Sequence, residues 1–192
     1  MKPLLRMLVF SLIAAFLFPL LEEKAEGQWF LFGHPERRYN QCLEFYEAAE
    51  YPDARKCIEQ FLADYPHSRW NETLYFLDAK METTAGEAIK KYRWFLRNYP
   101  QGKHTAEASF LLAELYELLN DFLNAQQSYL RVYLQFPSDP FANESGLRAA
   151  KCMLLNGDVL SVQKHLEEYL AHQTSYPWNA RAKELYADAL FQ

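Results

Sequence analysis

Eight side chains are candidates for acid–base, nucleophilic or metal chemistry: His34, His67, His104, His165 and His172, and Cys42, Cys57 and Cys152. Catalysis needs such a group beside a partner that tunes its proton affinity, and a metal needs three or four ligands at short fixed spacings. Neither pattern occurs. His165 and His172 lie seven apart on one predicted helix. That is two turns, or about 10.5 Å, too far to share a metal directly. His67 and His104 both follow a helix-ending proline and read as helix-start or solvent residues. Glu22-Glu23 and Glu167-Glu168 read as surface charge. There is no Gly-rich phosphate loop, nucleophile elbow or His-Glu-x-x-His run. The chain is expected to be no enzyme and to use no cofactor or metal. Asn71-Glu72-Thr73 and Asn143-Glu144-Ser145 fit the N-glycosylation pattern and are read as chance occurrences.

The three cysteines match no zinc spacing, and an odd count leaves at least one unpaired within a single chain. Cys42 and Cys57 fall on the two helices of one predicted hairpin, on sides that can face each other. A bridge between them is one reading, and three small buried side chains is the other. A bridge requires an oxidising compartment, and the N-terminus bears on that. Lys2 and Arg6 precede an apolar run from Met7 to Leu21. The run has the length of a signal-peptide core and is short of the roughly 20 residues of a bilayer span. Ala25-Glu26-Gly27 puts small residues where signal peptidase reads, so residues 1–27 are expected to be a signal peptide cleaved before Gln28. An uncleaved membrane anchor is the alternative.

The elements that must position any site are helices. Half of the 192 residues are hydrophobic and 16% are aromatic, enough for a packed core. Leu, Ala, Glu and Tyr outnumber Val, Ile and Thr, which favours helix over strand. The net charge of −5 comes with no basic block, which argues against nucleic acid as a partner. An aromatic–proline pair recurs as Tyr65-Pro66, Tyr99-Pro100, Phe136-Pro137 and Tyr176-Pro177, with prolines 34, 37 and 40 residues apart. That period marks helical-hairpin repeats. Proline drives the residue before it out of the helical region, so each pair is expected to end a helix.

The hairpins are expected at about 35–66, 68–100, 104–137 and 140–177, with a capping helix over 179–191. All of them lie within a repeat domain spanning 28–192. Leu112, Ala113 and Tyr116 share one helical face, Asn120-Asp121 turns the chain, and Ala125, Tyr129, Val132 and Phe136 pack back. Ala149, Ala150 and Met153, then Gly157-Asp158, then Val162, Leu166 and Tyr169 repeat the design. In the first hairpin a turn is expected near Tyr51-Pro52-Asp53. Asp139 is the expected N-cap of the fourth, with Pro140 at its first helical position.

This small–large pattern resembles the tetratricopeptide repeat. Leu112-Ala113, Tyr116, Asn120-Asp121, Ala125, Tyr129 and Pro137 carry the resemblance, joined by Ala149-Ala150, Gly157-Asp158 and Val162. The aromatic–proline endings resemble a bacterial envelope branch. That branch includes the repeat lipoprotein of the outer-membrane β-barrel assembly machine and the C-terminal repeat domain of the Tol–Pal coordinator. No cysteine follows the apolar run to carry a lipid, and no coiled-coil heptads precede the repeats. The resemblance implies an all-α helical-hairpin solenoid of about four repeats plus a C-terminal capping helix. It also implies an exported scaffold, in the periplasm or cell envelope, that binds a protein or peptide partner.

In this class the first helix of each hairpin lines a concave groove. The face opposite the core gives Tyr39, Leu43 and Tyr46, then Trp70 and Leu77, then Phe110, Glu114 and Glu117, then Leu147, Lys151 and Leu154. Exposed aromatics there would form a contact surface. Their competing assignment is core between hairpins. A groove with an aromatic end and an acidic middle suits an extended or helical peptide with apolar anchors and a basic residue. The alternative function is a membrane-anchored assembly subunit of an envelope complex, touching the membrane only through its N-terminal segment.

Overall fold

The computed structural model describes residues 34–172 and 175–191. The expected signal peptide and its cleavage site lie outside the described residues. Among the described residues the chain is all-helical, with nine α-helices and no strand. They are α1 (Pro35–Glu47), α2 (Tyr51–Asp64), α3 (Asn71–Lys80), α4 (Ala85–Asn98), α5 (Thr105–Leu118), α6 (Phe122–Gln135), α7 (Ala142–Leu155), α8 (Val159–His172) and α9 (Tyr176–Leu190). The chain divides into two compact units, one up to Asn71 and one from Glu72.

The links between hairpins are built alike. Tyr65, Tyr99 and Phe136 close α2, α4 and α6 with φ of −130°, −126° and −128°. Each is forced out of the helix by the proline behind it. The carbonyl of each then accepts from the amide three residues on, from Ser68, Gly102 and Asp139. A second turn of the same kind leads to Asn71, Thr105 and Ala142, the first residues of α3, α5 and α7. Asn71 Nδ2 and Thr105 Oγ1 also donate back to the carbonyls of Tyr65 and Tyr99, at 2.9 and 2.6 Å.

Turns within hairpins follow a second rule. Ala49, Asn120 and Gly157 sit at φ of 57°, 58° and 78°. The next amide, of Glu50, Asp121 or Asp158, reaches back to the carbonyl of Phe45, Tyr116 or Met153. This is the left-handed helix stop that satisfies the last orphan carbonyls. The second hairpin instead uses a longer link through Met81–Thr84.

Three expectations about helix ends are corrected. The turn of the first hairpin falls at Ala48–Glu50, because Tyr51 and Pro52 occupy the first turn of α2, where a missing N–H costs nothing. Helix α7 begins at Ala142, with Asp139 Oδ1 accepting from the amide of Phe141 in the turn before it. The fourth aromatic–proline pair starts α9, so the last helix spans Tyr176–Leu190 and the pair ends none.

In the first unit α1 packs on α2. Cys42 and Cys57 join them, with Cα atoms 5.4 Å apart. Ala54, Ile58 and Phe61 complete the buried face. In the second unit α4 through α9 each pack on the next, and α9 also packs on α7. Ala106, Ala113, Ala125 and Ala149 let helices approach closely, while Phe110, Tyr129 and Val132 fill the space between. A second cluster of Leu147, Ala150, Met153, Val162, Leu166 and Tyr169 is covered by Ala182 and Ala189 of α9. Burying each large side chain contributes roughly 1.5–3 kcal/mol.

Candidate functional site

The first helices of the second unit leave an open groove. About 510 Å³ of space is bounded by Ala79, Lys80 and Glu82 at the end of α3, Ala88 and Tyr92 on α4, and Arg148 on α7. Helix α5 supplies its floor with Leu111, Glu114, Leu115, Glu117 and Leu118. Leu111, Leu115 and Leu118 recur at i, i+4 and i+7, so they form one apolar stripe along α5. Leu118, at the lip, is 73% exposed. Small Ala79 and Ala88 across from the stripe leave the space open.

The polar groups around Arg148 form one connected network, while Lys80 and Glu82 pair outside it with Glu107 and Lys91. Arg148 Nη1 donates to Glu114 Oε1 at 2.9 Å, to Glu117 Oε2 at 3.4 Å and to the Tyr129 hydroxyl at 2.8 Å. Its Nε donates to Glu144 Oε1 at 3.0 Å. Tyr129 passes its own proton toward Glu117 Oε2 at 2.9 Å, and Lys151 Nζ donates to Glu117 Oε1 at 3.1 Å. The guanidinium lies over the rings of Phe110 and Tyr129, at 5.2 and 5.7 Å. Contact with aromatic rings together with several directed hydrogen bonds is what guanidinium offers and ammonium does not.

Partial burial pushes the Glu117 carboxyl up. The bonds from Lys151 and Tyr129 and the charges of Lys151 and Arg148 outweigh it and hold Glu117 below the usual carboxylate range. Burial opposes the Arg148 charge, but its bonds to Tyr129 and Glu144 raise its proton affinity further. Glu117 and Arg148 are therefore both charged at neutral pH, while the buried Tyr129 hydroxyl between them keeps its proton.

The structure distributes the groove candidates unevenly. Glu114 and Glu117 line the space, and Lys151 stands beside it, bonded to Glu117. Phe110 does not line the groove. It is 7% exposed and packs on Tyr129 and Phe141 with ring centroids 5.5 and 4.8 Å away. Leu77 and Leu147 are buried as well. Adjacent helical positions point about 100° apart, so Phe110 enters the core and Leu111 faces the groove.

In the first unit, Tyr39, Leu43 and Tyr46 are half-buried. Trp70 lies in the link before α3, not on it. Its ring stacks on Tyr39 at 5.5 Å and meets the edge of Phe61 at 6.4 Å, with the Arg69 guanidinium 4.5 Å from its centre. Tyr46 lies 6.0 Å from Tyr51. These rings are engaged in the unit's own packing. Of the two expected acidic groups, Glu114 pairs with Arg148, and Glu117 pairs with both Arg148 and Lys151.

Sequence reasoning missed the leucine stripe, which its spacing signals, and Arg148, which no local pattern signals. The remaining reactive groups are quiet. Cys152 is buried and its thiol is pushed up to about 11 by that burial. His165 is held neutral by burial, with Nε2 2.9 Å from the carbonyl of Gly146.

Residues 85–142, from the start of α4 to the start of α7, match the tetratricopeptide repeat family model. No curated protein matches the chain. Among solved structures, the chain is similar to the nearly identical TPR-like repeats of a putative kinesin light chain from Podosopora anserina. That crystal structure superposes with a TM-score of 0.59 at 15% identity, covering 83% of this chain and 88% of that chain. A single-substitution variant of the same repeats gives the same score and identity, covering 87% of its chain. At that identity the likeness shows the fold alone. The fold is that of tetratricopeptide-like helical hairpins.

Proposed function

We propose that this chain is an exported, non-enzymatic scaffold of a bacterial cell envelope, and that it holds a protein partner as a peptide in the groove of the second unit. The observation that carries the binding reading is the stripe Leu111, Leu115 and Leu118, which runs along the open space with Leu118 exposed at its lip. An apolar stripe beside a bonded charge network is the composition of a peptide groove: anchors on one side and orientation on the other. Export is supported by Lys2, Arg6 and the Met7–Leu21 apolar run, and by the joined Cys42 and Cys57, which need an oxidising compartment. The envelope assignment rests on the aromatic–proline endings.

The test is capture from an envelope extract with wild-type chain and with Leu115→Arg as bait. A partner retained by wild type and lost from Leu115→Arg, with an unchanged circular dichroism melt, is the expected result. Intact mass of the exported product should place its first residue at Gln28. A partner that Leu115→Arg still captures removes the groove from the reading.

A further inference from the structure

Apart from the groove, we propose that the outer face of α9 is a surface on which two copies of this chain pair, antiparallel, about a two-fold axis. Ala182 and Ala189 of α9 are buried in the second core cluster. Successive helical positions turn by about 100°, so the opposite side of α9 carries Tyr176, Ala180, Ala187 and Phe191, with Lys183 and Glu184 at its middle. Tyr176 is 84% exposed, Leu190 58% and Phe191 91%. Large apolar side chains left to water at both ends of one helix face mark a contact surface. Leu160 of α8, 81% exposed, stands toward the Phe191 end, because Gln163 one turn further on donates to the carbonyl of Ala189.

The order of these residues selects a second copy as the occupant. Turning a copy end for end about the midpoint between 183 and 184 sets Tyr176 level with Phe191 of the copy, Ala180 level with Ala187, and Lys183 level with Glu184. Large apolar groups then meet at both ends, and small ones let the two helix axes approach. The middle holds two lysines and two glutamates with no net charge. Such a contact uses the same patch on both partners and closes at two. Other polar groups of α9 are engaged within the chain: Arg181 pairs with Glu144, and the Tyr186 hydroxyl donates to Glu167. Lys183 and Glu184 are exposed, diverge as sequence neighbours on a helix must, and form no ion pair among the described residues. A wholly basic or wholly acidic partner would satisfy one of them and oppose the other.

The contact is one helix long, about 22 Å for the 15 residues of α9. That is small beside a standard interface, so the dimer should dissociate in the micromolar range or above. Sedimentation equilibrium of the purified chain from about 1 µM to about 1 mM tests it. The expected result is a reversible monomer–dimer equilibrium. Lys183→Glu puts four carboxylates in the middle of the contact, and Glu184→Lys puts four ammonium groups there. Each alone should weaken the dimer by about tenfold or more. Both positions are exposed, so neither change costs the fold. Mixed together, the two variants should form a heterodimer at least as tight as the wild-type dimer, because each supplies the charge the other lacks. A wild-type chain that stays monomeric at about 1 mM overturns the proposal. So do variants that dimerise as wild type does, weakened variants that mixing fails to rescue, and growth beyond two copies.

Discussion

The two units hold their helices together by different means. In the first, α1 and α2 are joined by a covalent bond between Cys42 and Cys57, and the rings of Tyr39, Phe61, Tyr65 and Trp70 cluster beside it. In the second, no disulfide occurs among the described residues, and Cys152 is free and buried. There each hairpin is closed by small residues at helix crossings and by large ones shared with the next hairpin, as Ala149 and Cys152 of α7 are with Tyr129 of α6. A small unit buries little surface of its own and gains most from a staple, whereas stacked hairpins bury each other. The charge network lies in the second unit, where hydrogen bonds hold Arg148 to Glu114, Glu117 and Glu144 with no covalent link between the helices.

The largest effect should come from removing the staple. The bridged residues are 15 apart in sequence. A loop of that length gives about 3 kcal/mol of stabilisation in the chain-entropy account. Cys42→Ala with Cys57→Ala should therefore lose about that much in the first unit. Hydrogen exchange should show faster opening of amides in α1 and α2, with those in α5 through α8 unchanged. Equal loosening of both units would erase the distinction drawn between them.

A smaller and opposite test belongs to the second unit. A methyl group at Gly146 would stand 2.8 Å from the Tyr169 ring and 2.9 Å from the Tyr133 ring. The two rings pack on each other with centroids 5.6 Å apart and Tyr169 is buried, so the methyl group would have to displace that pair. Overpacking of this kind costs about 1–3 kcal/mol. Gly146→Ala should lower the melt by that amount and speed exchange in α7 and α8, leaving α1 and α2 protected. Gly86 in the first turn of α4 has open space around it. Gly86→Ala is the matched control and should be neutral or mildly stabilising, by up to about 1 kcal/mol.

Much of this architecture was legible because its signals are local. Proline acts on its neighbour, so Tyr65, Tyr99 and Phe136 mark helix ends that sequence alone locates. The same rule misleads at Tyr176 and at Tyr51, because proline is equally at home in a first helical turn. Which role a pair plays depends on the helix that follows it. On α5 the period picks out the Glu114–Glu117 side but does not separate Phe110 from Leu111, and it puts the buried Leu77 and Leu147 on the same face as those glutamates. Arg148 was out of reach, because its partner Glu114 is 34 residues away and nothing near either side chain announces the other.

The finest distinction lies in the hairpin turns. All three left-handed stops share one hydrogen-bond pattern, yet the second unit fills its positions with Asn120 and Gly157 and the first uses Ala49. Asparagine and glycine tolerate this conformation, and an alanine Cβ crowds the carbonyl that follows it, at roughly 1–2 kcal/mol. Glycine gives back part of that advantage through the freedom it loses on folding. Ala49→Gly should therefore stabilise the first unit by a net amount of roughly 0.5–1 kcal/mol. Gly157→Ala should destabilise the second by a similar amount. Nothing lies within 4 Å of a Cβ built at Gly157, so the backbone angle alone sets the cost. Exchange at the amides that close the two turns, Glu50 and Asp158, isolates each effect from the rest of its unit. Slower exchange at Glu50 with faster exchange at Asp158 is the expected pair. A loss of protection at Glu50 on gaining glycine would mean that Ala49 does not sustain the left-handed stop in solution. The first hairpin would then rely on its disulfide even more than its geometry implies.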